Sequence, residues 1–176
     1  MNIQENLNEI REKESFLEKI KRFIPGYDGY VNRDNARELD TQLRNALALS
    51  LDYSKVQLKN AVLQLGHNKK LFELPDVDKL EKKLDNIISK LKSASRGYSG
   101  AFDVVKIKED KLFQLYEFDS SLATMVETVN EGFDNFVKNT ESDVDDIIKL
   151  IQQLGDILDN FLKKFDERET LLRNLN

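Results

Sequence analysis

Apolar residues recur along this chain at steps of three and four, the period of a helical face. Ile3, Leu7, Ile10, Leu17, Ile20 and Ile24 step by 4, 3, 7, 3 and 4, and Pro25 ends that first helix because it cannot continue the backbone ladder. A second helix is expected from Asp34, an N-cap residue, to Gly66, a natural stop. Its stripe runs through Leu39, Leu43, Leu47, Leu51, Leu58 and Leu65, with its weakest point at Asp52-Tyr53-Ser54. After Pro75, Val77, Leu80, Leu84, Ile87, Leu91 and Ala94 step 3, 4, 3, 4 and 3, the cleanest heptad seam in the chain. Residues 101–107 are open between loop and a short extended segment. A fourth helix is expected from about Lys108 through Leu115, Leu122, Val129 and Phe136. The Thr140–Ser142 region is expected to cap a fifth, carrying Ile147, Ile151, Leu154, Leu158, Phe161 and Phe165.

The pattern therefore predicts an all-α protein, a single domain over residues 1–176. It reads as an elongated antiparallel bundle of about five helices, since short breaks favour antiparallel neighbours. Alternating directions would bring the breaks at 25–30 and 96–103 to the same end of the bundle.

Those two breaks share a motif. Gly26-Tyr27-Asp28-Gly29 and Gly97-Tyr98-Ser99-Gly100 stand 71 positions apart, each behind a basic helix end. Two readings are open. The loops are a recognition surface built from Tyr27, Tyr30, Arg33, Arg96, Tyr98, Phe102, Asp103 and Lys106, or the tyrosines plug the end of the bundle. Neither loop is a phosphate loop, for no Gly-Lys-Ser/Thr follows.

Asp119 interrupts the apolar seam between Leu115 and Leu122. A buried carboxylate requires a partner, and register offers Arg37 or Arg44 as the counter-ion. Asp40 and Arg44, four residues apart on the second helix, otherwise read as a surface pair.

The chain carries 27 Lys and Arg against 32 Asp and Glu, for a net charge of −5. The balance is uneven: 18 basic against 15 acidic residues up to position 100, then 9 against 17. An acidic chain is a poor general nucleic-acid binder, so no nucleic-acid partner is expected. Long amphipathic helices permit a membrane surface, which the acidity disfavours. With no cysteine and one histidine, His67, there is no thiol chemistry and no Glu-x-x-His pair for a di-metal bundle. The acidic run Glu141, Asp143, Asp145 and Asp146 lacks the ligand spacing and glycine of a calcium loop. No cofactor, no metal and no catalytic residue is expected. The polar opening Met1-Asn2-Ile3-Gln4-Glu5 is unlike a signal peptide, and no apolar run is long enough to span a bilayer, so a cytoplasmic protein is expected.

Ile24-Pro25-Gly26-Tyr27-Asp28-Gly29-Tyr30, and the later run Gly97-Tyr98-Ser99-Gly100-Ala101-Phe102-Asp103-Val104-Val105-Lys106, resemble a pattern in uncharacterised bacterial and archaeal helical proteins. The resemblance covers about two thirds of the chain, with Ala101 where the family usually shows an aromatic. It implies a prokaryotic protein without assigned activity and carries over no catalytic residue. The function expected is a non-enzymatic interaction or scaffold module docking a protein partner through the Gly/Tyr loops, with homodimerisation open. The alternatives are a peripheral membrane-remodelling protein, or a ligand binder or enzyme using Asp119 and the loop arginines.

Overall fold

The computed structural model describes residues 18–22, 24, 27, 33–70, 76–93 and 109–174. The protein is all-α, and every regular element among the described residues is a helix. Residues 18–22 are the described part of α1. Four long helices follow: α2 (Arg33–His67), α3 (Val77–Ser93), α4 (Glu109–Lys138) and α5 (Val144–Arg173).

Each stripe turns inward. Leu43, Leu47, Leu51 and Leu65 of α2, Leu84 and Leu91 of α3, Val126, Phe133 and Phe136 of α4, and Leu154, Leu158 and Phe161 of α5 share one core. Burying a side chain of this size stabilises by roughly 1.5–3 kcal/mol, so these seams outweigh the helix propensities of individual residues.

The long helices form a ring in the order α2, α3, α5, α4. Consecutive helices run antiparallel, as expected: Arg44 near the start of α2 reaches Leu91 near the end of α3, and Asp119 near the start of α4 meets Arg168 near the end of α5. The two hairpins lie side by side, and across that junction the helices are parallel. Ser54 and Gln64 of α2 bond to Asn130 of α4 and Thr140 just after it, while Lys83 and Lys90 of α3 reach Asp159 and Asp166 of α5. The start of α2, the end of α3, the start of α4 and the end of α5 consequently share one end of the bundle.

Three local expectations change. The Asp52-Tyr53-Ser54 stretch is no weak point, because it is bonded to α4. Ser54 Oγ donates to Asn130 Oδ1 (2.6 Å), Asn130 Nδ2 donates to Ser50 Oγ (2.9 Å), and Tyr53 OH donates to Asp134 Oδ1 (2.8 Å). Gly66 is not the stop of α2. Lys69 takes the left-handed conformation at φ 59°, and the Lys70 N–H returns to the Leu65 carbonyl (2.9 Å), the bond that closes a Schellman turn. The cap of α5 is Asp143 rather than the Thr140–Ser142 region. The Thr140 hydroxyl is engaged elsewhere, donating to Gln64 Oε1 of α2 (2.6 Å).

No helix among the described residues is long and apolar enough to cross a membrane.

Candidate functional site

At the end where four helix termini gather, the core turns ionic. Asp40 and Arg44 of α2, Asp119 of α4, and Arg168 and Glu169 of α5 are all buried. They form a continuous chain of contacts. Arg44 Nη1 donates to the Leu91 carbonyl of α3 (2.8 Å), and Arg44 Nε donates to Asp40 Oδ2 (2.9 Å). Arg168 Nη2 stands 2.7 Å from Asp40 Oδ1, an ionic contact without the alignment of a hydrogen bond. Arg168 Nε donates to Asp119 Oδ1 (2.5 Å), and its Nη1 donates to Glu169 Oε1 (3.4 Å). The planar guanidinium fork is what lets one side chain serve three carboxylates.

The cluster ties all four long helices together. Desolvation is the main reason the Glu169 carboxyl is pushed up to about 7, and the negative Asp40 beside it adds to the rise. Arg44, Arg173 and Lys90 pull the other way. Arg168 holds both aspartates ionically, and neither Asp119 nor Arg168 presents any surface to solvent. That arrangement ties α2, α4 and α5 together at one end of the bundle.

Asp119 is thus buried and ion-paired, as its place on the seam implies, but its counter-ion is Arg168 and not Arg37 or Arg44. Arg44 is taken by Asp40, and that pair is core rather than surface. Arg168 went unread in the sequence although its signal equals that of Asp119. It continues the seam of Phe161 and Phe165 towards Leu172, in steps of 4, 3 and 4.

Of the loop residues, Tyr30, Arg96, Tyr98, Phe102, Asp103 and Lys106 lie outside the described residues, and Arg33 opens α2. Tyr27 is fully buried in the core with Ile20 and Ile24. The three occupy consecutive places on one stripe, and backbone bonds from Ile24 to Ile20 (2.9 Å) and from Tyr27 to Ile24 (3.1 Å) carry the chain inward. Tyr27 thus presents no surface to solvent, where a recognition surface would need it exposed.

Two surface features fall outside these expectations. An open groove of about 630 Å³ lies between Lys19, Phe118, Thr124 and Lys164, with Lys164 Nζ 4.4 Å from the centre of the Phe118 ring, a cation–π contact. The second feature is the outer face of α2. Leu49, Tyr53, Val56 and Leu63 are 71, 45, 56 and 64% exposed, and it is their grouping on one face, not the exposure of any one of them, that marks a surface. They step 4, 3 and 7 and form a second helical stripe, away from the core. Tyr53 is held rigid within it, its hydroxyl donating to Asp134 and accepting from Gln57 Nε2 (2.5 Å).

Among the described residues no group of three or more His, Asp or Glu side chains is placed to hold a metal ion. Asp145 and Asp146 lie in the first turn of α5, where the helix dipole favours acids.

No family model, curated protein or solved structure matches the chain.

Proposed function

We propose that this protein is a non-enzymatic interaction module, a rigid bundle whose task is to bind an amphipathic helix of a protein partner. The observation that carries this is the exposed stripe Leu49, Tyr53, Val56 and Leu63. Apolar anchors at helical spacing along a helix bonded to its neighbour suit a partner helix laid alongside, which reads such a face turn by turn. The Arg168–Asp40 contact at the bundle end and the Ser54–Asn130 bonds tie that helix to its neighbours, so little ordering entropy is lost on docking. The Gly/Tyr loops belong to the proposal as a second contact region through their residues other than Tyr27. A cytoplasmic setting goes with it.

The membrane-surface reading has less support. Interfacial helices flank their apolar face with several Lys and Arg, and between Asn45 and Leu63 only Lys59 borders this stripe as an exposed base. The enzyme reading also has less support, since Asp119 is enclosed with Arg168.

The test is site-specific photo-crosslinking in the cells that make the protein. With p-benzoylphenylalanine at position 56, a discrete adduct is expected that disappears in the Leu49→Lys/Leu63→Lys background and is absent with the probe at exposed Gln153 on α5. No adduct at position 56 would sink the reading.

A further inference from the structure

We propose that the outer face of α2 pairs with the same face of a second copy of the chain, the two helices running antiparallel. This rests on the helix-binding reading and names the helix that is bound. The argument is one of register and charge.

Leu49, Tyr53, Val56, Asn60 and Leu63 alternate steps of 4 and 3, which makes them the a and d positions of a heptad seam with Tyr53 and Asn60 at a. Asn60 is exposed like its apolar neighbours. The two flanks of the seam differ. One flank holds Ser50, Gln57 and Gln64, uncharged themselves but with the Asp134 carboxylate of α4 bonded to Gln57 (2.8 Å). The other holds Asp52 and Lys59, one acid and one base seven residues apart.

A parallel pair brings each flank against the opposite one, so Asp52 would meet Gln57 with the Asp134 acid bonded to it, and Lys59 would meet Gln64. Nothing is neutralised. An antiparallel pair brings each flank against itself. Layers of Tyr53 on Val56, Leu49 on Asn60 and Ala46 on Leu63 then place Asp52 of each copy opposite Lys59 of the other, twice by the two-fold symmetry expected of such dimers. Asp52 already contacts Lys92 of α3 at 3.3 Å while 40% exposed, so it can bridge both bases. Lys59 stands exposed beside Tyr53 and Val56 on the same helix.

The contact is one helix face about 26 Å long, towards the small end of specific interfaces. Self-association is therefore expected to be concentration-dependent, and a dilution series from about 5 to about 500 μM covers the range such a contact occupies.

The experiment is analytical ultracentrifugation of the full chain across that series. The wild type is expected to pass from monomer to dimer. Lys59→Asp places two acids against each other at both symmetric contacts and is expected to weaken the dimer about tenfold. Asp52→Lys/Lys59→Asp restores the opposition and is expected to return the dimer to near the wild-type affinity. Val56→Lys, in the middle of the seam, is expected to leave only monomer. All three variants change exposed or half-exposed positions, so unchanged thermal melts show that the fold is intact.

Monomer at every concentration overturns the pairing, and so does a dimer indifferent to Lys59→Asp. The two readings fail separately in the crosslinking experiment. An adduct of twice the chain mass supports both. An adduct of another mass, or one closed within a single chain, overturns self-pairing, and no adduct overturns the helix-binding reading itself.

Discussion

Arg168 and Asp119 meet at 2.5 Å across 49 residues of sequence, and neither side chain has any exposure to solvent. Arg168 also reaches Asp40 on α2. One guanidinium thus holds two helices to the helix that carries it. Removing one member of a buried pair leaves the other charge uncompensated, at a cost of about 3–5 kcal/mol. Arg168→Met is expected to destabilise more than Asp119→Asn, because it removes the one charge that faces both Asp119 and Asp40, whereas Asp119→Asn leaves Arg168 its contact with Asp40. Urea denaturation of both variants checks the order, and equal midpoints would refute the shared-counter-ion arrangement.

Glu169 sets a pH dependence of its own. Its carboxyl is raised to about 7 from an ordinary 4.5, so between those pH values the folded chain holds a proton that the unfolded chain has released. Stability from this group is present at low pH and falls as pH rises from about 4.5 to about 7, by up to about 3 kcal/mol. Above pH 7 the slope vanishes. Glu169→Gln is expected to flatten this part of the profile and to exceed the wild type in stability at pH 8. Denaturant midpoints for both proteins from pH 5 to pH 8 test it; parallel curves would place the titration elsewhere.

Two helical glycines should respond oppositely to alanine. A Cβ on Gly155 would rest 3.6 Å from Lys83 Nζ and 4.0 Å from Leu80 Cδ2, in ordinary contact. Gly155→Ala is therefore expected to stabilise by about 0.5–1 kcal/mol through helix propensity. A Cβ on half-buried Gly132 would stand 2.8 Å from Cδ2 of the buried Leu154, where α4 and α5 approach closely. Repacking there costs about 1–3 kcal/mol, so Gly132→Ala is expected to be neutral to destabilising. Paired melting curves decide whether the α4–α5 spacing depends on Gly132.

Tyr27 separates plug from docking residue. It is fully buried with Ile20 and Ile24, so Tyr27→Ala is expected to destabilise by about 3–5 kcal/mol, as large-to-small core changes of aromatic residues do. Calorimetry reads it directly. A variant with an unaltered melting temperature would return Tyr27 to the surface.

The order of the helices and their inward faces were legible in the chain because each is a local property. A stripe at steps of three and four is read within a few turns, and Leu84, Val126 and Leu154 lie where their periods place them. Asp119 was legible as a buried, paired charge for the same reason: it breaks a stripe. What the chain alone could not supply was any fact that depends on which stripes touch. Arg168 becomes the partner of Asp119 only because α5 lies beside α4 and brings residues 49 apart to one end. Asp40 and Arg44 have the spacing of a surface pair, and the ring of helices closing over them makes them core. On α2 the sequence carries two apolar stripes of helical period. Only the tertiary arrangement decided that Leu43, Leu47 and Leu51 face inward while Leu49, Val56 and Leu63 face out, since α3 and α4 flank α2 on one side and leave the other to solvent.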